Sequence, residues 1–70
     1  MDRIPVASSN IASIGYEADS QVLEVEYIKG GIYQFMNVPS DVHEELMNSS
    51  SKGTYMNQVV KKMFVVVQVG

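Results

Sequence analysis

The chain is predicted to fold as an α+β domain: an antiparallel β-meander of three strands, two short helices packed on one face, and a C-terminal fourth strand. Three observations predict it. Across residues 11–35, β-branched and aromatic residues alternate with polar ones around two turn signals. After Pro39 the apolar spacing changes to that of a helix. Near the end, the run Phe64-Val65-Val66-Val67 returns to strong β-propensity.

Residues 1–7 read as a lead-in, with Pro5 favouring extended backbone before it. Ser8, Ser9 and Asn10 make a polar turn into the first strand. Residues 11–17 form that strand, with Ala12, Ile14 and Tyr16 on one face and Gly15 opposite, as a bulge or a point of close approach. Asp19 and Ser20 supply the next turn, and folding back across it pairs Tyr16 with Leu23, Ile14 with Val25 and Ala12 with Tyr27. A second turn, Lys29-Gly30-Gly31, has a glycine for the left-handed position of a bulged hairpin. As a three-residue loop it pairs Tyr27 with Tyr33 and Val25 with Phe35. That register gathers one apolar face and leaves Glu24, Glu26 and Gln34 on the other. Both turns thus point to the same apolar surface, and such agreement between levels is what a foldable sequence shows.

The third strand is expected to end at Val38-Pro39. A helix over residues 40–48 follows, with Val42 and Leu46 inward and Asp41, Glu44 and Glu45 outward. Ser50 or Ser51 suits the N-cap of a second helix over residues 52–62, whose apolar stripe is Tyr55, Met56, Val59, Val60 and Met63. Residues 64–69 then form the fourth strand. Its uninterrupted apolar character calls for burial on both faces or for an edge that pairs with another chain.

Composition narrows the function more than it identifies it. Seventy residues make a single domain spanning 1–70. A core of this size leaves about 3–5 kcal/mol of net stability, so a homo-oligomer is the expected source of more. Cysteine is absent and His43 is the lone histidine, which argues against thiolate or multi-histidine metal centres. No cofactor or metal is expected. The net charge of −3 is unevenly spread: residues 1–45 carry −6, and residues 46–70 carry +3. An anion would therefore be met by the C-terminal third. No run approaches the ~20 apolar residues of a membrane span, and the N-terminus lacks the apolar core of a secretory signal, so the expected location is the cytoplasm.

Several segments in order carry a resemblance: Ser8-Ser9-Asn10-Ile11, Ile14-Gly15-Tyr16, Leu23-Glu24-Val25, Gly31-Ile32-Tyr33-Gln34-Phe35 with Val38-Pro39, and Ser51-Lys52-Gly53-Thr54-Tyr55-Met56-Asn57. Together they resemble the KTSC domain, a short module found alone in bacterial and phage proteins and at the C-terminus of some lysyl-tRNA synthetases. The pattern departs at Phe35 and Met56, where the family often carries tyrosine or another aromatic. The resemblance implies an RNA-binding role and nothing catalytic.

Read from the residues alone, enzyme chemistry is disfavoured. His43 sits in an acidic, exposed helix, Glu24 and Glu26 lie on an open sheet face, and no nucleophile is placed beside a base. The segment 49–54 puts serines, Lys52 and Gly53 at a helix start, where free N–H groups favour anions. Tyr55 and Asn57 follow within a turn, and Tyr33 is the sheet aromatic best placed to reach a ligand. The expected site is therefore Ser51, Lys52, Gly53, Tyr55, Asn57 and Tyr33, binding RNA or a small phosphate-bearing nucleotide. The alternative is a protein interaction module that pairs through the C-terminal strand and takes no nucleotide.

Overall fold

The computed structural model describes residues 1–70, and its sheet has five antiparallel strands rather than four. In chain order these are β1 (Ile4–Pro5), β2 (Ile11–Glu17), β3 (Val22–Tyr27), β4 (Ile32–Phe35) and β5 (Val66–Gln68), which lie side by side in the same order. Helix α1 (Ser40–Asn48) and a second helix, α2 (52–63), intervene between β4 and β5. The extra strand is the supposed lead-in: Ile4 pairs with Ile14 and Pro5 with Ser13. Proline is tolerated there because the strand is an edge. Gly15 is the close-approach point its sequence context suggests, since a Cβ on it would stand 2.6 Å from the Asp2 carbonyl oxygen.

Two registers differ from the sequence reading. Tyr16 does pair with Leu23 and Ile14 with Val25, but an irregularity between Ile11 and Ser13 places Ile11, not Ala12, opposite Tyr27. Ile11 accordingly enters the core, fully buried, while Ala12 is only half-buried. In the second hairpin Val25 faces Tyr33 and Leu23 faces Phe35, a shift of two residues from the expected pairing. The turn closes one residue earlier, with the Tyr27 N–H donating to the Gly31 carbonyl (3.1 Å) and the Gly30 N–H to the Tyr27 carbonyl (3.0 Å). Gly30 and Gly31 both hold positive φ there, 116° and 95°, which glycine adopts at little cost. Because side chains alternate with a period of two, an even shift leaves every residue on its expected face.

The core side of the sheet packs Ile11, Ile14, Leu23, Val25 and Phe35 against Val38, Leu46, Met56 and Val60 from the helical half. Strand β4 stops at Phe35, short of Val38-Pro39, and turns at Asn37, whose φ is 58°. Helix α1 begins after Pro39 and buries Leu46, leaving Asp41, Glu44 and Glu45 exposed. His43 is not the solvated residue expected. Its ring stacks on Tyr16, with centroids 4.4 Å apart and planes 10° from parallel, and burial lowers its pKa. The Tyr16 hydroxyl donates to the Val38 carbonyl at 2.6 Å.

Helix α2 opens with an α-helical turn, Lys52–Tyr55, widens to π-helix over Met56–Val60, and closes with Lys61–Met63. A π-turn spaces its hydrogen bonds one residue wider, so every later side chain rotates relative to a straight α-helix. This is why Met63, expected on the apolar stripe, is 67% exposed, and why Phe64 packs against the core instead. No helix is long and apolar enough to cross a membrane, and no group of three or more His, Cys, Asp or Glu side chains could hold a metal ion.

The far side of the sheet carries a polar network that ties the N-terminus down. Glu24 is 6% exposed there, contacted by the Arg3 guanidinium, and its Oε1 accepts from Gln34 Nε2 at 2.8 Å. Arg3 Nε donates to Ser13 Oγ (3.0 Å), whose hydroxyl donates to Glu26 Oε1 (2.9 Å). The Gln34 hydrogen bond, with help from Arg3 and against desolvation, holds the Glu24 carboxyl below its ordinary pKa. A depressed folded pKa gives stability that is present above the unfolded value of about 4.3 and is lost as pH falls through the folded one. Wild-type protein is therefore expected to lose more melting temperature on acidification below pH ~4.3 than Glu24→Gln does. Parallel melting curves for the two proteins against pH would show that the network does not couple folding to this proton.

Candidate functional site

A cleft of about 590 Å³ opens where the second hairpin, β5 and α2 converge. Its volume lies in the range of small-ligand sites. The hairpin register sets one wall. With Val25 opposite Tyr33, Tyr27 and Tyr33 become diagonal neighbours on one face, and their rings meet edge to face at 5.6 Å and 77°. Phe35 and Val66 continue this wall across the β4–β5 pair, where they are direct partners. The turn adds Lys29 and Gly30.

Helix α2 makes the other wall with Gly53, Asn57 and Lys61, and Asn10 joins from the turn before β2. Gly53 is buried, and a Cβ on it would come within 2.9 Å of Asn10 Nδ2. Glycine here lets the first turn of α2 sit against the asparagine amide. Four residues past Asn57, across the π-helical stretch, Lys61 holds its ammonium 5.1 Å from the centre of the Tyr27 ring, a cation–π contact. The Tyr27 hydroxyl is buried with no protein hydrogen-bond partner, and burial raises its pKa, with Tyr33 adding to the shift. The lining thus offers phenol rings, two carboxamides and two ammonium groups, with no carboxylate or imidazole.

The residues expected from sequence divide into two sets. Gly53, Asn57 and Tyr33 line this cleft together. Ser51, Lys52 and Tyr55 do not. Ser51 is the N-cap of α2, but its hydroxyl donates to Thr54 Oγ1 (2.8 Å) and accepts no hydrogen bond from a backbone amide. Lys52 Nζ folds back to donate to the Ser49 carbonyl at 3.2 Å. Tyr55 points toward α1, where its hydroxyl donates to Glu45 Oε1 at 2.7 Å. Burial and that carboxylate push the Tyr55 pKa up to about 12, so it serves as a tie between the helices.

Four cleft residues with polar side chains lie outside the site expected from sequence: Asn10, Tyr27, Lys29 and Lys61. Tyr27 belongs to the apolar face that the sequence predicts, and Lys61 enters the sequence reading only within the +3 charge of residues 46–70. Lys29 had a usable signal, since it adjoins a Gly-Gly turn next to the one sheet aromatic expected to reach a ligand. Asn10 had none, because its role depends on the distant Gly53.

The family described as "KTSC domain" matches residues 7–64. A protein of Stutzerimonas stutzeri is 39% identical over 61 residues, spanning 87% of this chain and 86% of its own length. Lysine–tRNA ligases of Nostoc punctiforme and of a second Nostoc strain are 38% and 41% identical over 56 residues. The match spans 80% of this chain but only 10% of each ligase. Among solved structures, a KTSC domain protein from Yersinia pestis superposes with a TM-score of 0.95 at 39% identity, covering 99% of this chain and 97% of the other.

Proposed function

Starting from the fact that this chain belongs to the KTSC domain family, we propose that it is a non-catalytic cytoplasmic module that captures a nucleotide-type ligand, RNA first among these, in the cleft between the second hairpin and α2. The observation that carries the reading is the convergence of Lys29 and Lys61 with Tyr27, Tyr33, Asn10 and Asn57 in one cleft of a chain whose net charge is −3. Unstacked bases are recognised by aromatic rings and by amides that read their edges, and their phosphates by nearby cations. An acidic chain that gathers two lysines around a pair of tyrosines concentrates positive charge where such a ligand would sit. RNA is favoured over a free nucleotide because relatives that carry this segment include lysine–tRNA ligases, whose named substrate is a tRNA.

The direct test is a titration of fluorescently labelled single-stranded RNA, alongside ATP and GTP, at several salt concentrations. RNA binding that weakens steeply with salt is the expected result. Salt-insensitive binding of a mononucleotide alone would move the assignment to small-ligand capture, and absence of both would remove it.

Tyr27→Phe separates ligand binding from folding. A buried hydroxyl without a partner costs about 1–3 kcal/mol, so its removal is expected to leave the melting temperature equal or higher. If a ligand acceptor reaches that hydroxyl, the same substitution weakens RNA binding by about five- to tenfold. A lowered melting temperature with unchanged affinity would instead give the hydroxyl a purely structural role.

A further inference from the structure

We infer that the free edge of β5 pairs antiparallel with β5 of a second copy of this chain, joining the two sheets about a two-fold axis at Val67. The two edges of the sheet are guarded differently. On β1 the edge carries Pro5, with Asp2 and Arg3 beside it, which are the devices that discourage strand addition. The β5 edge has no charge and no proline: residues 64–69 read Phe-Val-Val-Val-Gln-Val. Its valines stand in solvent, Val67 at 47% and Val65 at 71% exposure.

The backbone pattern fixes which groups are free. The Met36 N–H donates to the Val65 carbonyl and the Val69 N–H donates to the Ile32 carbonyl, so odd-numbered residues of β5 bond inward to β4. Alternation then points the N–H and C=O groups of Val66 and Gln68 outward. A second copy meets them in one self-consistent register, with Val66 opposite Gln68 and Val67 opposite its own counterpart, for roughly four backbone hydrogen bonds. In that register every valine on the outer face finds a valine, Val65 against Val69 and Val67 against Val67. Such cross-strand β-branched pairs stabilise a sheet. A valine pattern that reads the same in both directions suits a second copy better than an unrelated strand. Val66 also lines the cleft, so the pairing would bring Gln68 of the second copy to its rim.

The test needs no ligand, so its outcome is independent of the nucleotide reading. Light scattering coupled to size exclusion, from micromolar to millimolar chain, is expected to show a mass rising from one copy to two. Val67→Lys places like charges face to face on the axis and should raise the concentration needed for pairing by at least about tenfold. Val66→Pro removes only an outward N–H and should do the same, while circular dichroism keeps the wild-type fold. Should the proline variant not fold, the lysine variant still decides the matter. A single-copy mass at every concentration, including one in which the edge captures only an unrelated peptide, would overturn the proposal. So would a dimer indifferent to Val67→Lys.

Discussion

Phe35→Ala is expected to lower the melting temperature by at least ~12 °C, enough to leave much of the protein unfolded under ordinary assay conditions. Phe35 is 1% exposed, the largest of the fully buried side chains, and is flanked in the sheet by Leu23 and Val66. Truncating a buried phenylalanine to alanine costs about 3–5 kcal/mol, which is comparable to the whole net stability of a domain this size. Because Phe35 also forms a wall of the cleft, ligand affinity should fall together with folding. Thermal unfolding followed by circular dichroism reads the effect. A shift of only a few degrees would mean that the core is centred elsewhere.

The second large effect is expected from charge reversal in the cleft. Lys29→Glu combined with Lys61→Glu should reduce RNA affinity at low salt by about a hundredfold or more. It should also flatten the slope of log affinity against log salt by about 1.4, which is the loss of two phosphate contacts on a single strand. Lys52→Glu makes the contrasting case. Its ammonium bonds the Ser49 carbonyl outside the cleft, so affinity is expected to stay within about threefold of wild type, the change a single remote charge gives through screened electrostatics. Fluorescence anisotropy on one labelled oligonucleotide across a salt series measures all three proteins. An unchanged salt slope in the double variant would place any RNA somewhere other than this cleft.

How much of the site was legible follows from how local each signal was. Gly53 and Asn57 could be read because a glycine near a helix start and an amide a turn later are features of one segment. Tyr33 could be read because its strand adjoins a glycine turn. Lys52 and Tyr55 belong to that same segment and look equally suitable in the sequence. They are excluded only by their partners, the Ser49 carbonyl and the Glu45 carboxylate. The glutamate is ten residues away on another helix, and no spacing rule joins the two. The π-helical stretch Met56–Val60 is a further example, since MNQVV has no glycine or proline to mark an irregular turn. Yet the wider turn decides that Met63 faces solvent and Phe64 the core.

By itself the sequence determined the order of β2 to β5 and the two helices, the apolar face of the meander except at Ile11, and the limits of α1. These rest on alternation, helical period and turn residues, which act within a few positions along the chain and survive a register shift of two. Only the tertiary structure decided that residues 4 and 5 close the sheet as a fifth strand, that β5 lies along β4, and that Asn10, Lys29 and Lys61 gather around Tyr27. Each of those juxtapositions joins segments far apart in sequence. They form through backbone ladders at the exposed strands β1 and β5 and through helices packed on the core face, and both exist only once the chain has closed on itself.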